Sequence, residues 1–197
     1  MNDLFTSPDI LWQRLETRLP AEGGNLVRAA YALARAAHAG QTRFEGTPYI
    51  VHPLRVALLL AGQPDLEPEA RLLAAALLHD VIEDCGLTRD ELAAEFGPEI
   101  ADWVQVLSKP GKTARPTDWE ERYFEMVAAA PRPARLVKLA DRLDNLVGLI
   151  FWQPEKRADY RAETRARILP IAVATDPRWA AELERLSRNA EEPGVAE

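Results

Sequence analysis

The sequence predicts an all-α fold. Apolar residues recur at helical spacing along nearly all of the 197 positions, and no convincing run of alternating β-branched residues lies between turn signals. Capping residues, prolines and glycines separate the apolar stretches as helix starts and stops. A chain of this length buries one core and its 47% hydrophobic content is that of an ordinary globular protein, so a single domain over 1–197 is expected.

Taken in order, Asn25 is placed to cap a helix through LVRAAYALARAAH to about His38, where Gly40 ends it. GQTRFEGTPYIV is then a loop carrying Gly46 and Pro48, and Pro53 begins a second helix, LRVALLLA, that Gly62 ends. Pro68 occupies a first-turn position and opens PEARLLAAALLHDVIED. Thr88 with Glu91 three residues on is a capping-box pattern for ELAAEF; Gly97-Pro98 interrupts it before PEIADWVQVLSK. PGKTARPTD, with two prolines, is the candidate mobile loop. Asp118 is placed to cap WEERYFEMVAAA, and the long helix ARLVKLADRLDNLVGLIFW follows PRP. A further helix follows Pro154, Asp176-Pro177 starts RWAAELERLSRNA, and the tail EEPGVAE reads as frayed. Trp119, Trp152 and Trp179 are read first as core; the alternative is a homo-oligomer interface.

With 24 Lys and Arg against 31 Asp and Glu, the net charge of −7 repels polyanions and disfavours nucleic acid as a partner. A compact phosphorylated ligand is compatible with it, because local cations or a bound metal reverse the potential inside one cleft. No apolar run approaches the roughly 18 to 20 residues that span a bilayer, and the acidic N-terminus is unlike a signal peptide, so no membrane partner and a cytoplasmic location are expected. The single cysteine, Cys85, agrees with a reducing compartment and reads as a small buried residue.

The densest chemistry lies in LLHDVIEDC. On a continuous helix His79 and Glu83, and Asp80 and Asp84, are four apart and share a face. Carboxylates at a helix C-terminus oppose the macrodipole, and a bound cation is the natural compensation; the alternative is a solvated acidic turn. His-Asp supplies an imidazole and a carboxylate to one divalent ion, and further ligands must come from elsewhere. His52, just before Pro53, is one candidate, with a backbone-bonded loop histidine as the alternative, whereas His38 reads as packed or capping. VKLADRLDNL puts Lys138, Asp141, Arg142, Asp144 and Asn145 into an apolar helix; periodicity does not choose between Asp141 and Asp144, and a charged surface stripe is the alternative. Two histidines with two carboxylates suit Mn2+ or a similar divalent ion and leave positions for water and substrate.

The segments AHAGQTRFEGTPYIVHPLRVA, LLHDVIEDC, FG and VKLADRLDN, in this order and spacing, resemble the HD-superfamily hydrolase domain of RelA/SpoT-type alarmone enzymes. The similarity covers about residues 25–150, and the C-terminal helices, about 154–190, resemble those of the stand-alone small alarmone hydrolases of the Mesh type. The resemblance implies an all-helical HD metal-dependent phosphohydrolase fold without a synthetase domain. It implies a Mn2+-dependent enzyme that removes the 3′-diphosphate of ppGpp or pppGpp as pyrophosphate. Carried over by position, His52, His79, Asp80 and Asp141 would be metal ligands, Asp141 because it directly follows KLA. Glu83 and Asp84 would manage the attacking water, Arg43 would pack on the nucleobase and Asn145 would contact the nucleoside. Tyr49 and Lys138 match nearby positions, and Lys109, Lys112 and Arg142 are cations near the motifs.

Two positions depart from the pattern. Phe44 stands where a second basic residue is usual, and the LVG after Asn145, with Val147 and Gly148, lacks the usual arginine. Both remove polarity from the region expected to hold the nucleotide, so the base is left open between (p)ppGpp and (p)ppApp. Other readings are a phosphatase for a nucleotide such as NADPH, a nucleotide-binding regulator without turnover, and a structural helical module.

Overall fold

The computed structural model describes residues 3–63, 69–111 and 115–188. Among these residues the regular structure is helical, the one β feature being a Thr42–Pro48 bridge that closes the loop after the second helix. The helices are α1 (Pro8–Glu16), α2 (Gly24–Ala37), α3 (Val51–Ala61), α4 (Ala70–Leu78), α5 (Val81–Cys85), α6 (Arg89–Phe96), α7 (Pro98–Leu107), α8 (Trp119–Ala129), α9 (Arg132–Gly148), α10 (Pro154–Glu163), α11 (Leu169–Thr175) and α12 (Pro177–Arg188). None is long and apolar enough to cross a membrane.

The core is built around α4 and α9. In α4 every residue from Leu72 to Leu78 is buried, which fits a helix apolar on all sides and enclosed by α2, α3, α7 and α9. The 17-residue α9 adds α8, α11 and α12 to its neighbours. Each buried leucine of this kind contributes about 1.5–3 kcal/mol of transfer free energy before the entropy of ordering is subtracted. Trp179 is buried in the core, as expected, and Trp119 and Trp152 pack against the core half-buried.

Several boundaries differ from the sequence reading. The first described helix, α1, went unread, although Ser7 caps it and Pro8 opens it. Asn25 is not the cap of α2: Gly23 holds that position at φ +81°, where a Cβ would lie 2.5 Å from Ala70 Cβ, and Asn25 instead accepts a hydrogen bond from Arg28. Helix α3 begins at Val51, two residues before Pro53, so His52 belongs to its first turn. The capping box of Thr88 and Glu91 is formed in both directions. Asp118 precedes α8 without capping it, its carboxylate being taken by Arg122 at 2.7 Å. The helix after Pro154 runs through a π turn, Thr164–Ile168, into α11. Pro68, the middle of PGKTARPTD and the tail lie outside the described residues.

The boundary that matters most is inside LLHDVIEDC. The chain leaves α4 after Leu78, and Asp80, at φ −103° and ψ −5°, starts α5 afresh. His79 and Asp80 therefore sit at a break, not on a continuous helix. Asp84 N–H still reaches Asp80 C=O at 2.8 Å, so Asp80 and Asp84 remain one turn apart in α5 and its cap.

Candidate active site

Three separated segments bring the polar residues together: the first turn of α3, the α4–α5 break and the middle of α9. His52, His79 and Asp141 are buried and each directs one ligand atom into a common space, all within 4.8 Å of one another. His52 Nε2 and His79 Nε2 are 3.2 Å apart. Asp141 Oδ1 is 3.3 Å from the former, and Asp80 Oδ2 is 3.1 Å from His79 Nε2 and 3.6 Å from His52 Nε2.

The other sides of these groups are taken. His79 Nδ1 lies 2.8 Å from Ala76 C=O and His52 Nδ1 lies 2.6 Å from Asp144 Oδ2. Both partners only accept, so each Nδ1 carries a proton and each Nε2 turns a lone pair inward. Two facing lone pairs beside two carboxylates need a positive charge between them. Cis ligands about 2.1 Å from a shared ion are about 3 Å apart, as these are, so the residues fit a divalent cation. In the metal-free protein a proton fills the role: burial pushes the His79 imidazole down, but Asp80 and then Asp141 reverse this and raise it to about 9. Burial raises and the histidines lower the Asp80 carboxyl, which ends below the usual carboxylate range. Asp141 is held well below it, the Lys138 ammonium being the largest influence opposing burial, at 2.9 Å from Oδ2.

The cluster forms the floor of a cavity of about 620 Å³. Glu83 and Asp84 line one wall. Glu83 accepts a bond from the Lys109 backbone N–H at 2.9 Å, and burial pushes its carboxyl up. Tyr49 Oη lies 2.7 Å from Asp80 Oδ2 and 2.8 Å from Asp84 Oδ2, linking the His-Asp cluster to the Glu83-Asp84 pair. Lys109, Lys138 and Arg43 supply the cations of the lining. Burial pushes the Lys109 amine down, whereas Asp141 overcomes burial at Lys138 and holds it well above its ordinary value. Opposite, Arg43 Nη2 donates to Asn145 Oδ1 at 2.7 Å while Asn145 Nδ2 donates to Asp141 Oδ1 at 2.6 Å.

Of the residues singled out in the sequence, His52, His79, Asp80, Asp141, Glu83, Asp84, Arg43, Tyr49, Lys109, Lys138 and Asn145 all line this cavity. Arg142 does not: it is 1% exposed, bonds Glu163 at 2.5 Å and Thr164 at 3.2 Å, and stacks over Tyr160 at 4.0 Å, so its charge is spent inside the fold. Lys112 lies outside the described residues. Phe44 is 67% exposed on the cavity rim, 5.2 Å from Trp152, which in turn meets Tyr160 at 5.0 Å. Val147 faces a different cavity behind α9, lined also by Leu58, Leu143 and Leu186, so of Phe44 and Val147 only Phe44 lines the cavity above the His-Asp cluster. Immediately after α2, His38 occupies its C-cap position, is buried and stacks on Tyr49 at 4.5 Å, as a packed and capping histidine should. Cys85 is half-buried beside it, with burial and then Asp84 pushing the thiol up to about 11, which leaves it unreactive.

The sequence reading missed three participants. Trp152 and Tyr160 lie beyond the motifs and had no polar signal to mark them. Arg55 did carry a signal, a lone cation within LRVALLLA. It is buried and bonds both oxygens of Asp144, at 2.7 Å through Nε and 3.0 Å through Nη2.

Comparison with known proteins gives the family. A profile described as HD domain matches residues 30–172. The chain is 41% identical over 151 residues to a Vibrio cholerae protein named guanosine-3′,5′-bis(diphosphate) 3′-pyrophosphohydrolase, covering 74% of this chain and 21% of that protein. It is 39% identical over 165 residues to the Escherichia coli bifunctional (p)ppGpp synthase/hydrolase SpoT, covering 81% of this chain and 23% of the relative. It thus spans about a fifth of the length of these curated relatives. A solved structure described as a metazoan ortholog of SpoT that hydrolyzes ppGpp superposes with a TM-score of 0.74 at 26% identity, over 86% of this chain and 96% of its own. The helical fold, the His-Asp cluster at the α4–α5 break and a profile match over most of the chain lead to one conclusion: the chain belongs to the HD-domain family.

Proposed function

We propose that this chain is a Mn2+-dependent pyrophosphohydrolase for a purine alarmone, (p)ppGpp or (p)ppApp, acting as one hydrolase unit. The observation that carries the reading is the convergence of His52, His79, Asp80 and Asp141 beneath a cavity that also presents Glu83 and Asp84. The names of the Vibrio and Escherichia relatives and of the metazoan structure support the substrate class.

His52, His79, Asp80 and Asp141 would hold the ion. When bound, it lowers the pKa of water and polarises phosphoryl oxygens. The protein's own groups do the rest. Glu83 and Asp84 orient the water and take its proton; burial raises the Glu83 carboxyl, the direction that makes it a stronger base. Tyr49 holds Asp84 against Asp80. Water oxygen joins the phosphorus bonded to the ribose 3′ oxygen, the bond to that oxygen breaks, and the 3′ oxygen takes up a proton as pyrophosphate leaves. Lys109 and Lys138 offset the diphosphate charge.

Both ends of the Asn145 amide are already engaged, by Arg43 and Asp141, so we assign the base to the aromatic wall of Phe44 and Trp152. Stacking accepts either purine, which keeps guanine and adenine alarmones together as substrates. The substrate is then a free nucleotide in the cytoplasm, with neither nucleic acid nor membrane engaged.

The test is a release assay with Mn2+ on ppGpp, ppApp and NADPH, measuring pyrophosphate and phosphate in parallel. Pyrophosphate from an alarmone is expected, with Asp80→Asn and Asp84→Asn reducing it by at least about 100-fold while the fold is kept. Phosphate from NADPH alone would make the protein a phosphatase, and tight binding without product a regulator; either overturns the proposal.

A further inference from the structure

We infer that Asp144, clamped by Arg55, is a positioning residue that fixes the tautomer and orientation of His52. The inference rests on the reading of His52 as a metal ligand and adds to it a role for Asp144 and Arg55 that the resemblance did not assign.

Asp144 sits one turn of α9 from Asp141 yet on another side of the helix. It is absent from the lining of the nucleotide cavity and lines the cavity behind α9 with Arg55, so it does not meet substrate. What it meets is His52: Oδ2 is 2.6 Å from Nδ1, on the side of the ring away from the cluster. A carboxylate accepts only, so the proton stays on Nδ1 and the Nε2 lone pair stays aimed at His79, Asp80 and Asp141. A neutral imidazole left to itself would place its proton on either nitrogen, and the Nε2 tautomer cannot bind a metal there.

Arg55 completes the device. Its Nε meets Asp144 Oδ1 at 2.7 Å and its Nη2 meets Oδ2 at 3.0 Å, while Nη1 reaches Leu4 C=O at 3.4 Å and Nη2 reaches Glu45 at 3.5 Å. Arg55 and His52 lie three apart on α3, and both face Asp144 on α9. The guanidinium therefore holds the carboxylate in plane and in register with the imidazole it must orient. A buried ion pair adds little net stability once its desolvation is counted. Its use here is directional: partners behind a ligating histidine tune the metal affinity of the ring in front.

The experiment uses the full chain with Zn2+ as a diamagnetic probe. Zn2+ affinity is measured by competition with a chelating dye, and the His52 Nδ1 proton by NMR of 15N-histidine-labelled protein. In the wild type this proton is expected far downfield, as a hydrogen bond to a carboxylate requires. Asp144→Asn is expected to move it upfield and to weaken Zn2+ binding by about 10- to 100-fold, with Arg55→Gln giving a smaller loss in the same direction. Thermal unfolding in EDTA checks that the metal-free fold is kept, so that a loss of affinity at unchanged metal-free stability is assigned to His52. A folded Asp144→Asn protein with wild-type affinity and an unmoved Nδ1 proton overturns the inference alone. If Asp144→Asn does not fold, unchanged Arg55→Gln affinity and resonance overturn it equally. Failure of the wild type to bind any divalent ion overturns the metal reading along with it.

Discussion

At His79 a proton and a metal ion compete for one lone pair. Nδ1 is committed to Ala76 C=O, so in the metal-free protein the titrating proton sits on Nε2, in the cluster. Asp80 and Asp141 overcome the effect of burial and hold it there up to about pH 9. Below that value a cation must expel the proton before it can bind, so binding at pH 7 is expected to release about one proton. Apparent Mn2+ affinity should then rise with pH, by up to about tenfold per unit between pH 7 and 8, and level off near 9. Calorimetric titrations in two buffers of different ionisation enthalpy measure the proton count. A pH-independent affinity with no proton released would show that no proton occupies His79 Nε2 at pH 7.

The elements explain both what the sequence disclosed and what it withheld. Helix starts with a local signature were legible: Thr88 with Glu91, Gly97-Pro98 and Asp176-Pro177 all begin helices where their chemistry says they should. The break at His79-Asp80 carried no such signature, since LLHDVIEDC has neither proline nor glycine, and it is seen only in the folded chain. The same limit applies within α9. Asp141 and Asp144 are indistinguishable by period, and their division into a cluster-facing and a rear-facing carboxylate depends on Arg55, whose partner lies 89 residues away. Asp176 gives a test of a locally legible element. Its Oδ1 accepts from Arg178 N–H at 3.0 Å and its Oδ2 from Arg178 and Arg132, and the hydrogen bonds to Arg178, foremost, depress its carboxyl. A depressed carboxyl stabilises the fold above its unfolded value near 3.9, and the contribution is lost as pH falls through the folded value. Asparagine caps as well as aspartate, so Asp176→Asn removes only the charge and should cost up to about 1 kcal/mol at pH 7 and progressively less below pH 4. Denaturant melts of both proteins across pH 3 to 7 check this; a gap that persists undiminished at pH 3 would mean the cap acts without its charge.

Across the molecule, the cluster draws on α3, the α4–α5 break and α9, whose residues are distant in sequence and meet only in the folded state. An ion held there binds the native chain and has no comparable site in the unfolded one, so binding becomes folding free energy. At Mn2+ about 100-fold above its dissociation constant the gain is about 2.7 kcal/mol. For a chain of this size that raises the melting temperature by about 5 to 10 °C. The increment separates the two sets of carboxylates, because Asp141 directs an oxygen at both histidines whereas Asp84 lies beyond Tyr49 on the cavity wall. Asp141→Asn should abolish the Mn2+-dependent rise, and Asp84→Asn should keep most of it while losing turnover. Thermal scans with Mn2+ and with EDTA distinguish the outcomes: a rise that survives Asp141→Asn intact places the ion elsewhere, and one that vanishes with Asp84→Asn moves that residue from managing water to holding metal.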